Sequence, residues 1–313
     1  MNTQQSLAFV FPGQGSQKVG MLEDFYGEEL VKNTFAQASD VLGYDLLALI
    51  QEGPQEKLNM TEVTQPALLT CSVALWRLWQ SRGGVVPAYM AGHSLGEWSA
   101  LVCAEVVKFE DAVALVRARG QYMQEAVPAG QGAMAAIIGL GDEEIEQACE
   151  KAAEGQVVCP VNYNSPGQVV IAGESDAVER AMALCKEAGA KRALPLPVSA
   201  PFHTSLMKPA ADRLAAQIQE TEFSQPKVPV VHNVSALPEA NPEKIKAIMV
   251  EQIYSAVQWV DCVKYLVDNG VETTIECGPG KVLAGLVKRI HKPLQALATE
   301  SEDLFSASLQ GNH

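Results

Sequence analysis

The stretch VVPAYMAGHSLGEWSALVCA, residues 85–104, reads as a short apolar strand, a glycine-flanked turn and the opening of a helix. Residues 85–91 make the strand, Ser94 follows it by three positions, and the helical pattern runs to about residue 104. Within it lies a G-x-S-x-G set, Gly92-His93-Ser94-Leu95-Gly96. The glycines permit a sharp turn and close approach of neighbouring backbone, so the serine hydroxyl stands out at the turn as a candidate nucleophile. At the start of the helix the Leu95 N–H is placed to face a developing oxyanion, with the helix dipole assisting. By pattern alone an ordinary glycine-flanked loop serine is the competing reading, and the strand–turn–helix setting is what favours the nucleophile.

Outward from this turn, apolar runs alternate with helix-period segments, the rhythm of an α/β architecture with a mostly parallel sheet. Residues 7–11 read as a buried strand ending in the loop Pro12-Gly13-Gln14-Gly15. Thr64 and Pro66 suggest a helix start, with the apolar face over residues 67–80. From Gly132 the order changes to strand 133–138, helix 142–154, strands 157–162 and 168–172, helix 174–188 and strand 191–196. That β-α-β-β-α-β order is the split arrangement of ferredoxin-like domains. The expected organisation is a larger α/β domain from residues 1–129 and 198–313, interrupted by a smaller α+β unit over 130–197. Residues 228–232 and 273–276 read as further main-sheet strands, and the polar tail from Glu300 as loosely held.

With 313 residues, 48% of them hydrophobic, the chain has ample material for such a core. No signal peptide or bilayer-length apolar run is evident, so a soluble cytoplasmic protein is expected. The formal net charge of −14 argues against a nucleic-acid partner. Seven cysteines without a C-x-x-C spacing read as reduced, buried thiols, and five dispersed histidines give no metal-ligand spacing, so no metal is expected.

A serine nucleophile needs a base. His203, in Ala200-Pro201-Phe202-His203-Thr204, is the candidate because it lies downstream in a proline-bounded loop where the chain re-enters the larger domain. His93 adjoins Ser94 and reads as structural or supporting, while His232, His291 and His313 read as ordinary polar residues.

Five motifs in order, Phe11-Pro12-Gly13-Gln14-Gly15-Ser16-Gln17, Thr64-Gln65-Pro66-Ala67, Gly92-His93-Ser94-Leu95-Gly96-Glu97, Phe202-His203 and Glu276-Cys277-Gly278-Pro279-Gly280, span nearly the whole chain. Together they resemble the malonyl-CoA:acyl carrier protein transacylases of bacterial fatty acid synthesis, whose motifs are shared by acyltransferase domains of polyketide synthases. The resemblance implies an α/β-hydrolase-like larger domain, Ser94 as nucleophile and His203 as base. It further implies Gln14 and the Leu95 N–H as the oxyanion hole, and the main chain of Gln252 as the group that orients the histidine. Arg119 matches the arginine that binds the malonyl carboxylate, and Phe202 the residue that accompanies malonyl over methylmalonyl selection. Read without the resemblance, Arg119 is a solvated helix arginine and Phe202 a packing residue.

The implied reaction is a ping-pong transfer of malonyl from malonyl-CoA to the phosphopantetheine thiol of holo acyl carrier protein, with coenzyme A thioester as substrate and no cofactor. A monomer is expected. Lys281, Lys288, Arg289 and Lys292, in a stretch free of Asp and Glu, are the candidate surface for the acidic carrier or the coenzyme A phosphates, with a solvated helix face as the equal competing reading. A hydrolase releasing the acyl group to water uses the same serine and histidine, and the motifs alone separate the two poorly. A non-enzymatic acyl-binding protein is disfavoured because Ser94, His203, Gln14 and Arg119 are all present.

Overall fold

Strand β1 (Thr3–Phe11) is apolar at every position from Leu7 to Phe11, and the fold buries both of its faces. Leu7, Phe9 and Phe11 point into one core, Ala8 and Val10 into another on the opposite face, as the two-residue period of a strand requires. The computed structural model describes residues 3–311, so Met1, Asn2 and the His313 considered above lie outside the described residues.

After β1 the chain forms α1 (Glu29–Leu42), α2 (Leu46–Glu52), α3 (Gln55–Leu58) and α4 (Thr61–Ser81). Then come β2 (Val86–Gly92), α5 (Leu95–Cys103) and α6 (Phe109–Glu125). The next block is β3 (Gly132–Ile138), α7 (Asp142–Ala153), β4 (Val158–Ser165), β5 (Gln168–Glu174), α8 (Ser175–Glu187) and β6 (Arg192–Pro195). The chain closes with α9 (Lys208–Glu220), β7 (Val230–Val231), α10 (Pro242–Glu251), α11 (Trp259–Asp268), β8 (Thr273–Glu276), α12 (Val282–Ile290), β9 (Gln295–Ala298) and α13 (Glu302–Gln310).

Five strands form a sheet in the order β7-β2-β1-β8-β9, every pair parallel. On one face lies α4, buried on nearly every side, with Trp76 and Trp79 both set edge-on to Phe9 at 5.1 Å between ring centroids. The other face is covered by α11 and α12 through Trp259, Val263, Leu283 and Leu286. The remaining four strands form a separate antiparallel sheet, β4-β5-β3-β6, with α7 and α8 packed on one face. Its other side contributes Met134, Val161, Val170 and Ala172 to the main core. Main-chain bonds also join the two units: Val257 N donates to Val161 O at 2.7 Å, and Tyr163 N donates to Val257 O at 3.0 Å. Among the described residues no helix is long and apolar enough to cross a membrane, and all seven cysteines are free thiols.

Two expectations are corrected, and one strand is not anticipated. The helix expected to start at Thr64 begins one turn earlier, because the Thr64 hydroxyl donates back to Leu58 O and Met60 O instead of capping, and Pro66 sits inside it. Strand β9, a short parallel edge pairing with β8, carries no alternation to announce it. The tail is not loose. Phe305 on α13 is fully buried, with its ring 5.6 Å from Phe25 and 6.0 Å from Trp79, and Glu302 meets Arg82 at 2.6 Å.

Phe305→Ala is therefore expected to lower the unfolding free energy by about 3–5 kcal/mol in urea titration, the range for emptying a buried aromatic site. A tail held only by its polar residues would lose a few tenths.

Candidate active site

Two close approaches dictate the turn after β2. A side chain on Gly92 would meet Gly96 O at 1.9 Å, and one on Gly96 would meet Phe11 O at 2.0 Å, so both positions must lack a Cβ. Between them Ser94 takes φ 50° and ψ −109°, a conformation that costs a non-glycine residue about 1–3 kcal/mol and persists only where neighbours enforce it. The neighbours are specific. His93 N donates to Phe11 O at 3.0 Å, Ser94 N to Asn233 Oδ1 at 2.8 Å, Asn233 Nδ2 to Gly92 O at 2.6 Å, and Gln252 Nε2 to Ser94 O at 2.9 Å. The Leu95 N–H, first of α5, has no acceptor among the described residues and faces outward from the helix end.

Ser94 Oγ lies 2.7 Å from His203 Nε2, and His203 Nδ1 lies 2.9 Å from Gln252 O. A carbonyl oxygen only accepts, so Nδ1 carries the proton and Nε2 presents a lone pair to the serine hydroxyl. Burial pushes the imidazole down to about 3, and the nearby Arg119 cation adds to the effect. The ring is thus neutral and ready to accept a proton throughout the neutral range.

Arg119 sits on α6 with 1% of its surface exposed. It donates from Nη1 to Gln65 Oε1 at 2.9 Å, and from Nη2 to Gln252 Oε1 at 2.9 Å and to Ser94 Oγ at 3.3 Å. Its Nε has no partner, and no carboxylate lies within ion-pair distance of it among the described residues. Burial lowers its pKa to about 10, opposed by the field of Glu97, so it remains a cation. A desolvated guanidinium with only neutral partners, aimed at a serine oxygen, suits a substrate carrying its own carboxylate.

The other candidates fall at different distances from this centre. Gln14 lies in the loop after β1, where its amide reaches Thr61 Oγ1 at 3.5 Å and makes no bond to Ser94. His93 turns away from the serine: its Nε2 meets Asn164 Oδ1 of β4 at 2.7 Å and its ring rests 5.7 Å from that of Trp259. Phe202 is 8% exposed and packs in the main core directly before His203. A cleft of about 610 Å3 opens beside His93 and Gln14, walled by Asn164 and Gln168 of the second sheet and by Val282 and Leu286 of α12. Along α12 and beyond it, Lys288, Arg289 and Lys292 are exposed; Arg289 donates to Gln168 Oε1 at 2.7 Å, while Lys281 pairs with Glu300 at 3.1 Å.

Sequence reasoning missed several polar members of the cluster. His232, read as an ordinary polar residue, is fully buried with Nδ1 2.5 Å from Glu97 Oε1. Asn233, Gln65 and Asn164 received no role. A usable signal existed for the first two of these positions, since His232 and Asn233 follow directly on a main-sheet strand, and the carboxyl ends of parallel strands are where α/β sites form.

An acyl transferase domain family matches residues 8–308. The chain is 62% identical to the malonyl CoA-acyl carrier protein transacylase of Escherichia coli (strain K12), over 97% of this chain and 98% of that protein. It is similar to the crystal structure of an acyl carrier protein S-malonyltransferase from Vibrio cholerae, with a TM-score of 0.95, 60% identity and coverage of 97% and 99%. A malonyl-transacylase solved in complex with its type II polyketide synthase acyl-carrier protein superposes with a TM-score of 0.97 at 56% identity, covering 98% of this chain and all of that one.

The acid limb of Ser94 acylation, followed as the pH dependence of kcat/KM, is expected at least about one pH unit below the 6.5 of a free imidazole. A limb at 6.5 would mean that the histidine is not held as described.

Proposed function

Because this chain belongs to the acyl transferase family as a malonyl-CoA:acyl carrier protein transacylase, we propose that its chemistry runs through a malonyl ester on Ser94. The observation that carries this reading is the buried, carboxylate-free Arg119 cation 3.3 Å from a serine oxygen that is itself 2.7 Å from a neutral histidine. The protein transfers malonyl from malonyl-CoA to the phosphopantetheine thiol of holo acyl carrier protein, supplying malonyl carrier for fatty acid elongation.

In the first half-reaction the Ser94 proton passes to His203 Nε2 as Oγ attacks the thioester carbonyl. The oxyanion is met by the Leu95 N–H and by Gln14. As the C–S bond breaks, coenzyme A thiolate takes the proton back from Nε2. In the second, the carrier thiol gives its proton to Nε2, its sulfur attacks the ester, and Ser94 Oγ leaves with that proton. The Gln252 carbonyl stabilises the imidazolium between these transfers. Burial and Arg119 both weigh against that imidazolium, and a malonyl carboxylate seated on Arg119 cancels the second of these effects. Acetyl leaves the guanidinium unpaired, so it is rejected.

Phe202 limits branching at the α-carbon, and His93 supports the turn through Asn164. We assign the larger domain, 1–129 and 198–313, to an α/β-hydrolase-like fold and the 130–197 insertion to a ferredoxin-like one, supported by the β4-β5-β3-β6 order. The enzyme is read as a cytoplasmic monomer without cofactor, since coenzyme A enters and leaves as substrate. The exposed Lys281, Lys288, Arg289 and Lys292 receive the acidic carrier or the coenzyme A phosphates, and nucleic acid is no partner for a chain of net charge −14.

Intact mass after brief exposure to equimolar malonyl-, methylmalonyl- and acetyl-CoA is expected to show one malonyl adduct that moves to added holo carrier. Ser94→Ala is expected to show none, and Arg119→Ala to lose malonyl loading by about a hundredfold or more. An adduct that decays to free acid regardless of carrier would make the protein a hydrolase. Charge reversal at Lys288 and Arg289 is expected to slow the carrier step about tenfold at low salt, with the difference shrinking at high salt. An unchanged low-salt rate would remove this patch from the docking surface.

A further inference from the structure

Glu97 has no part in the steps above, yet it is fully buried in the first turn of α5, three residues beyond the nucleophile. Its two oxygens are used separately. Oε1 accepts from His232 Nδ1 at 2.5 Å, and Oε2 accepts from Gln252 Nε2 at 2.9 Å and from Asn233 N at 3.2 Å. His232 and Asn233 follow directly on β7, so the carboxylate is clamped between the nucleophile helix and a sheet end.

The consequence follows from the chemistry of an amide. A carboxamide has a donor end and an acceptor end, and packing by shape hardly distinguishes them. Gln252 Oε1 accepts from Arg119 Nη2, so a reversal of this amide would set two donors face to face at 2.9 Å. Neither the Glu97 carboxylate nor the Ser94 carbonyl oxygen can donate, and both, each 2.9 Å from Gln252 Nε2, therefore admit only the NH2 end of Gln252. Glu97 also supplies a negative field that favours the charged form of Arg119.

We infer that Glu97 is a positioning residue for substrate selection: clamped by His232, it acts with Ser94 O to set the polarity of the Gln252 amide and, as its closest side-chain acceptor, aims the Arg119 guanidinium at the acyl carboxylate beside Ser94. It acts through Gln252 and touches no reacting atom. The inference rests on the assignment of Arg119 to the malonyl carboxylate. Its distinctive consequence is selectivity. A loosened Gln252 weakens capture of malonyl, whereas acetyl makes no use of the guanidinium.

The test is to measure kcat and KM with malonyl-CoA and with acetyl-CoA on the intact protein, for wild type, Glu97→Gln and His232→Leu. Glu97→Gln is expected to reduce kcat/KM for malonyl about ten- to a hundredfold, mainly through KM, and acetyl transfer by less than about threefold, so that the ratio collapses. His232→Leu keeps the charge but frees Oε1, and moves the ratio the same way by a smaller factor. It carries the test alone if Glu97→Gln does not fold. Combining Glu97→Gln with Gln252→Met is expected to leave the ratio no lower than Gln252→Met alone, the non-additivity of residues acting through one another. Parallel loss of both activities in a folded variant, or an unchanged ratio, would overturn the inference while leaving Arg119 in its role. A wild-type protein that loads acetyl as readily as malonyl would overturn both.

Discussion

Gln252 joins four parts of the site that the chain supplies from widely separated places. Its amide nitrogen donates to Ser94 O and to Glu97, its amide oxygen accepts from Arg119, and its main-chain oxygen accepts from His203, each at 2.9 Å. The residue is fully buried, so none of these bonds competes with bulk water. Ser94, His203 and Arg119 are thereby held against one frame. The strained Ser94 backbone is held by the Gln252 amide together with Asn233, which accepts from Ser94 N and donates to Gly92 O, and with the His93 N to Phe11 O bond.

That frame is continuous with the wall of the cleft. Gln252 lies in the short 3-10 turn Gln252–Tyr254, and five residues past its start Val257 pairs by main-chain bonds with β4 of the second sheet. Gln258 N then donates to Asn233 O at 3.0 Å, and the Asn233 side chain holds the Ser94 turn. From the other direction, His93 reaches β4 through Asn164. The smaller unit is thus tied to both sides of the Ser94 turn, and its strands supply much of the wall of the cleft beside His93 and Gln14. In a chain of net charge −14, α12 displays its basic side chains outward while Leu283, Leu286 and Val287 face the core.

Burial gives the two cationic groups opposite outcomes. The His203 imidazole is held neutral, which suits a proton acceptor, while Arg119 stays charged because even a lowered guanidinium pKa of about 10 exceeds neutral pH. A single desolvated pocket therefore contains a neutral base and a permanent cation side by side. The buried carboxylate of the cluster, Glu97, reaches Arg119 through an amide instead of an ion pair, which leaves the guanidinium available to an incoming anion.

Much of this protein is legible in local sequence. Strand β1, the strand–turn–helix around Ser94, the alternation of β3 to β6 with their two helices, and strand β8 all follow from periodicity and glycine placement, because their causes lie within a few residues of each other. The same holds for Gly92 and Gly96, whose missing side chains are demanded by the turn they bracket. By contrast, Phe305 gave no sign that a polar tail would dock as α13, and β9 none that it would extend the sheet, since each depends on a partner far away in the chain. The site divides in the same manner. Ser94 is announced by its own turn, whereas its contact with His203 spans 109 residues and that with Gln252 spans 158. The pairing of His232 with Glu97 and the orientation of one buried amide have no local signature at all. By itself the sequence determined which backbone turns form and which chemical groups are present; tertiary structure decided which of those groups meet, because hydrogen bonds between distant residues acquire partners and direction only when the sheet order brings their strand ends together.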